Sequence, residues 1–236
     1  MTTWNDQKIT RLYKAGTLGL ALKGEIGNVV SILGSVVGSE RLVYNPWTYA
    51  IFHRAALEIA PTMVEGIMTL FPTIKSASDF GCGTGAYVAE FRKRKVLAEG
   101  FEYSPIARRL ARDAFNLEIA PFDLNHFAGA GATFDLSTSF EVAEHLPPPL
   151  GDRLVEVCCQ HASLVIFSAA GPGQRGQGHI HLQPKAFWIE RFARHGFSFS
   201  ESKTEQLERH LRTHLIRGFW VANNIAVFES NRPRTP

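Results

Sequence analysis

Three strings in this 236-residue chain combine the residue types and spacing that chemistry needs. The first is Ser139-Phe140-Glu141-Val142-Ala143-Glu144-His145-Leu146-Pro147, in which Glu141, Glu144 and His145 stand about one turn or less apart. An imidazole ordinarily titrates near ~6.5, so His145 can take a proton from a hydroxyl at neutral pH. The second string, Gly171 to His181, sets His179 and His181 in a glycine-rich loop. The third is Asp79-Phe80-Gly81-Cys82-Gly83-Thr84-Gly85. Its glycines let the chain turn sharply and let a ligand approach the backbone, and free amides at a helix start can hold a polar or anionic group.

The elements that must position these strings alternate. Strands are expected at 76–80, 96–102, 118–122, 134–140, 163–168, 197–200 and 222–228. Helices are expected at 86–95, 105–115, 150–161, 184–195 and 204–214. Such alternation predicts an α/β fold, a doubly wound and mostly parallel seven-stranded sheet with helices on both faces. In such sheets ligands bind outside the carboxyl ends of the strands. All three strings fall at such ends. Residues 1–72 read as a helical N-terminal extension or lid, carrying Tyr44, Trp47, Tyr49 and Phe52, and 73–236 as the ligand-binding domain. The aromatics suit either a lid or a small satellite core. The basic run Arg92-Lys93-Arg94-Lys95 suits a helix C-terminus, where cations oppose the dipole.

Two more acids follow at strand ends. Glu102 comes 17 residues after Gly85 (102 − 85), where an acid can accept both hydroxyls of a ribose. Asp123, in Pro121-Phe122-Asp123-Leu124, is placed to accept from an adenine amino group, with Phe122 or Leu124 packing on the base.

Asp79 to Gly85, Glu102, Asp123 and the Glu141-to-His145 string together resemble the class I S-adenosylmethionine-dependent methyltransferases, and their EVxEH-type small-molecule members in particular. The resemblance covers residues 76 to about 229. The glycine string has the GxGxG spacing rather than GxGxxG, which argues against a nicotinamide dehydrogenase. The resemblance implies S-adenosylmethionine as cofactor, leaving as S-adenosylhomocysteine. It implies that Asp79, Phe80, Gly81, Cys82, Gly83 and Gly85 hold the methionine part, with Phe140 and Glu141 near it. It puts Glu102 and Tyr103 at the ribose and Phe122, Asp123 and Leu124 at the adenine. His145, His179 and His181 become the candidate catalytic residues. The acceptor is expected to be a hydroxyl of a small molecule or glycan.

No metal is expected. If one binds, Glu141, Glu144, His145 and His181 are its candidate ligands, with His179 able to replace His181 and Mg²⁺ the ion. That variant would suit a metal-assisted RNA 2′-O-methyltransferase, which resembles this chain in its Glu-x-x-Glu-His string and distant histidine. A third reading is a protein that binds the cofactor without catalysis. The net charge of +3 is small and no strong basic block stands out, so nucleic acid is not an expected partner. Three cysteines without a CxxC pair suggest a reduced, cytoplasmic protein. The apolar stretch from Ala15 to Gly38 is interrupted by Lys23 and Glu25 and reads as a cap or partner-facing helix pair, not a membrane span.

Overall fold

The computed structural model describes residues 46–231. Tyr44 and the stretch Ala15 to Gly38 lie outside them, so only residues 46–72 of the expected extension are described.

The first described element is the helix α1 (Pro46–Leu70). It opens on a proline, whose missing N–H costs nothing at a helix start, and it stops just before Phe71-Pro72. Ile59, Ala60, Met63, Val64 and Ile67 form its buried stripe at helical spacing. The chain continues through β1 (Ser76–Phe80), α2 (Ala86–Lys93), β2 (Leu97–Glu102), α3 (Pro105–Phe115), β3 (Ala120–Pro121) and β4 (Leu136–Phe140). A single turn of 3₁₀-helix (Ala143–His145) leads into α4 (Pro148–His161), β5 (Leu164–Ser168), α5 (Lys185–Arg194), β6 (Phe197–Phe199), α6 (Glu201–His214), α7 (Phe219–Asn224) and β7 (Ala226–Ser230). The basic run does end α2, with Arg92 and Lys93 in its last turn.

The seven strands form one sheet in the order β3-β2-β1-β4-β5-β7-β6. All neighbours pair parallel except β7, which runs antiparallel to both β5 and β6. The strands alternate between two cores. Ala77, Leu136, Leu164, Ile166 and Val227 join residues of α1, α2, α6 and α7. Phe80, Phe101, Val165, Phe167 and Phe228 join residues of α4 and α5 on the other face. This period of two decides which strand-end side chains can meet a ligand. Asp79 and Phe140 share a face with Ala77 and Leu136, whereas Phe80 points the other way.

Three expected elements differ from those observed. β3 is two residues long instead of five, because Pro121 has no N–H with which to extend an edge ladder. The apolar run expected as a strand from 222 is split: 219–224 is helical and the strand starts at Ala226. A continuous apolar run carries no period, and Gly218 at φ +84° starts the helix. α6 starts at Glu201, three residues earlier than its apolar pattern, with an acid in its first turn.

Candidate active site

A cavity of about 430 Å³ opens at the carboxyl ends of β1 and β4. α1, the loop 174–179 and α7 close it from the other side.

Its floor is the turn after β1. Gly81 and Cys82 donate their amides to the Phe101 carbonyl at 2.8 and 3.2 Å, pinning the turn to β2. Gly81 sits at φ +76°, and a Cβ there would fall 2.7 Å from Val142. Gly83, also at positive φ (+54°), has nothing within 4 Å of an added Cβ, so it borders open space. Asp79 ends up beneath this turn, only 3% exposed. One of its oxygens accepts from the Thr138 hydroxyl at 2.8 Å, and the other has no hydrogen-bond partner. Burial pushes the Asp79 carboxyl up to about 7, with the Thr138 hydroxyl opposing the shift and the nearby Glu102 charge adding to it. A carboxylate in this state calls for a cation or a strong donor.

The opposite wall follows β4. Glu141 adopts φ +53°, an uncommon backbone state for a residue with a side chain. Its amide bonds the Ser168 carbonyl at 2.9 Å. Its carboxylate accepts from the Asn224 amide at 3.1 and 3.2 Å and from the Gln174 amide at 3.2 Å. The Glu144 side chain is fully buried and neither carboxylate oxygen has a hydrogen-bond partner. Burial first, then the Glu141 charge, push Glu144 up to about 8; the amides of Glu144 and Ala170 lie near enough to offset this only in part, without the geometry of a hydrogen bond. His145 donates Nδ1–H to the Gly178 carbonyl at 3.2 Å, and His179 donates Nδ1–H to the Gln174 carbonyl at 3.1 Å. Their ring centres are 4.9 Å apart. Burial and the neighbouring His179 bring His145 down to about 4, so the ring is neutral at physiological pH and a weaker base than a free imidazole.

The cavity thus brings together Asp79, Gly81, Cys82, Gly83, Phe140, Glu141, Glu144, His145 and His179. The other expected site residues do not line it. Phe80 stacks on Phe101 at 4.8 Å in the opposite core. Gly85, at φ +77°, caps α2. Glu102, 8% exposed, bridges two turns, accepting from Gly83 N at 2.9 Å and Ser104 N at 2.7 Å. Tyr103 is exposed, and Phe122 and Leu124 are buried. Asp123 accepts from His126 at 3.1 Å and from the Asn125 amides at 3.0 Å, which hold it below the usual carboxylate range. His181 is buried, with the Phe187 and Trp188 ring centres 5.5 and 5.4 Å from its own. These ring contacts with α5 hold it in the aromatic core, apart from His179.

Several cavity residues carry no motif in sequence. Gln174 and Asn224 clamp Glu141, and Asn224 also donates to Gln174 at 3.0 Å. Tyr87 packs on Phe140 with ring centres 4.8 Å apart. His53 of α1 bonds the Thr84 hydroxyl through Nδ1 at 2.6 Å, tying that helix to the glycine turn. Tyr49 and Phe52 line the cavity, while Tyr49 also packs in a small cluster with Ala107 and Leu110 of α3.

A family model described as a methyltransferase domain matches residues 62–201, more than half of the chain. The chain belongs to this family, and its architecture is that of the class I S-adenosylmethionine-dependent methyltransferases. No curated protein matches the sequence. Among solved structures, an amino pentose methyltransferase of Micromonospora echinaspora, solved with S-adenosylmethionine bound, is 17% identical. That match has a TM-score of 0.56 and covers 76% of this chain and 91% of that one. A sugar N-methyltransferase of a Streptoalloteichus species gives 16% identity and a TM-score of 0.59, covering 78% and 93%. An O-methyltransferase family protein of Burkholderia thailandensis gives 14% and 0.63, covering 92% and 74%. Among the described residues no helix is long and apolar enough to cross a membrane.

Proposed function

We propose that this protein transfers a methyl group from S-adenosylmethionine to a hydroxyl of a small molecule or sugar. One observation carries the reading: a buried carboxylate oxygen of Asp79 without a partner lies beneath an open glycine turn, in a cavity that reaches the Glu144–His145–His179 corner.

The residues present fit the methionine end of the cofactor. Its ammonium group supplies the donor and the charge that the second Asp79 oxygen lacks, and the space above Gly83 admits its chain. Glu102, already bonded to Gly83 N, holds the turn in shape from the ribose side. The cofactor supplies a sulfonium methyl group that an acceptor oxygen displaces in line. The chain's own part is to position the two partners and to exclude water. Tyr49, Phe52, Tyr87, Phe140 and Trp220 give the cavity its largely apolar wall. A hydroxyl is favoured over an amine because it must shed a proton it holds tightly, and the imidazoles of His145 and His179, which line the same cavity, are available to accept it.

The test is transfer of labelled methyl groups to a panel of hydroxylated and aminated acceptors, with the methylated atom identified by mass spectrometry. His145→Ala should retain S-adenosylhomocysteine binding in calorimetry and lose on the order of 10²-fold or more in kcat. Turnover unchanged on the true acceptor would remove His145 from the reaction, and a product methylated on nitrogen would overturn the hydroxyl assignment.

A further inference from the structure

We propose that Glu144, His145 and His179 form a binding site for a divalent transition-metal ion of the zinc type, with an open position facing the cavity. One ligand atom from each residue lies within 4.8 Å of the other two. Tetrahedral zinc with bonds of 2.0–2.1 Å spaces its ligands about 3.4 Å apart, so the ligand atoms draw together by at most about 1.4 Å (4.8 − 3.4) to close the set.

The Glu144 carboxylate is fully buried, and neither oxygen has a hydrogen-bond partner. Such a group is costly to keep unless something positive meets it. Both imidazoles are oriented as metal ligands usually are. Each gives its Nδ1 proton to a backbone carbonyl, Gly178 for His145 and Gln174 for His179. In the neutral ring of this tautomer Nε2 is the nitrogen able to bind a metal, and the carbonyl fixes the ring's direction. The backbone joins the two halves of the site. Ile180 and His181 donate their amides to the Glu144 carbonyl at 2.9 and 3.0 Å, which docks the histidine loop onto the 3₁₀ turn.

The ligand set excludes two residues that the sequence nominated. Glu141 is held by Asn224 and Gln174, and His181 is packed against Phe187 and Trp188. What remains is two nitrogens and one carboxylate. That combination suits zinc, cobalt or manganese better than magnesium, which prefers oxygen. Three protein ligands and one open position are also the pattern of a working metal centre, not a structural one.

The role of the ion rests on the methyl-transfer reading above; the site itself does not. An acceptor hydroxyl on the open position would lose its proton to water more readily. Its oxygen would then form the new C–O bond while the C–S bond breaks and its electron pair stays on sulfur.

The test is titration of Co²⁺ into tag-free, chelator-treated, full-length protein, followed by visible absorbance and by calorimetry. One equivalent is expected to bind with d–d absorbance of low coordination number. His179→Ala and Glu144→Gln should each weaken binding by about 100-fold or more. Circular dichroism shows whether each variant is folded, and His179→Ala on the loop serves if Glu144→Gln is not. No binding to the wild type, or equal binding to both folded variants, overturns the site. S-adenosylhomocysteine titrated in parallel separates the readings. Its failure to bind would remove the methyl-transfer role and leave the metal result standing on its own.

Discussion

At the scale of single residues, Asp79 carries opposing demands. Its carboxyl is buried, raised to about 7 and half satisfied. A group with a raised folded-state value holds a proton that the unfolded chain has already lost. Its contribution to stability is therefore present below about pH 4 and is lost as pH rises to about 7. Binding of an ammonium group needs the ionised form, so ligand affinity runs in the opposite direction. S-adenosylhomocysteine should bind more tightly as pH rises from 6 to 8 and level off above that, by up to roughly tenfold per pH unit on the acid side. Asp79→Asn should abolish binding in calorimetry and yet raise the apo Tm at pH 8, at roughly 2–4 °C per kcal/mol for a chain this long. A variant that both binds and melts like the wild type would show that Asp79 is not the ammonium partner.

At the scale of elements, the site depends on turns that only certain residues permit. Gly83 combines positive φ with open space, so an added Cβ there would meet nothing in the protein within 4 Å. It would instead fill the space proposed for the cofactor, and a β-branched side chain is also poorly suited to that backbone state. Gly83→Val should lower S-adenosylhomocysteine affinity by about 100-fold or more while moving Tm by only a few degrees. Retained affinity would place the ligand elsewhere along the turn. The far wall is assembled from three elements that meet at Glu141: the end of β4, the loop with Gln174, and α7 with Asn224. Each is short or irregular, so its position follows from the side-chain contacts it makes.

At the scale of the molecule, two cores sandwich the sheet, and the site sits on the edge of the one that includes α1, α2, α6 and α7. The opposite core is tightly aromatic. Phe192 and Phe228 are fully buried and stacked, with ring centres 3.8 Å apart and planes 13° from parallel. Phe192→Ala should cost on the order of 4 kcal/mol and lower Tm by roughly 10 °C, measured by thermal melts. Because that core lies across the sheet from the cavity, affinity for S-adenosylhomocysteine below the melting range should stay within about twofold of the wild type. A large loss of affinity in the folded variant would mean that the two faces are coupled.

Periodicity and strand-end chemistry made the fold legible in sequence. Alternation of short apolar runs with helical stripes specified the sheet, and GxGxG with three acids at successive strand ends marked the edge to inspect. Glu144, His145 and His179 were visible as residue types for the same reason. Sequence could not decide which way each side chain faces, because a shift of one residue along an extended chain reverses the face. That reversal separates Asp79 from Phe80, while His181 is drawn away from His179 by its packing on Phe187 and Trp188. Nor could it show that Glu102 bonds the Gly83 amide, or that Gln174 and Asn224 converge on Glu141, since those contacts span 19, 33 and 83 residues. Local spacing determines which elements form. Only their packing brings distant donors to one carboxylate and leaves another, Glu144, buried without any.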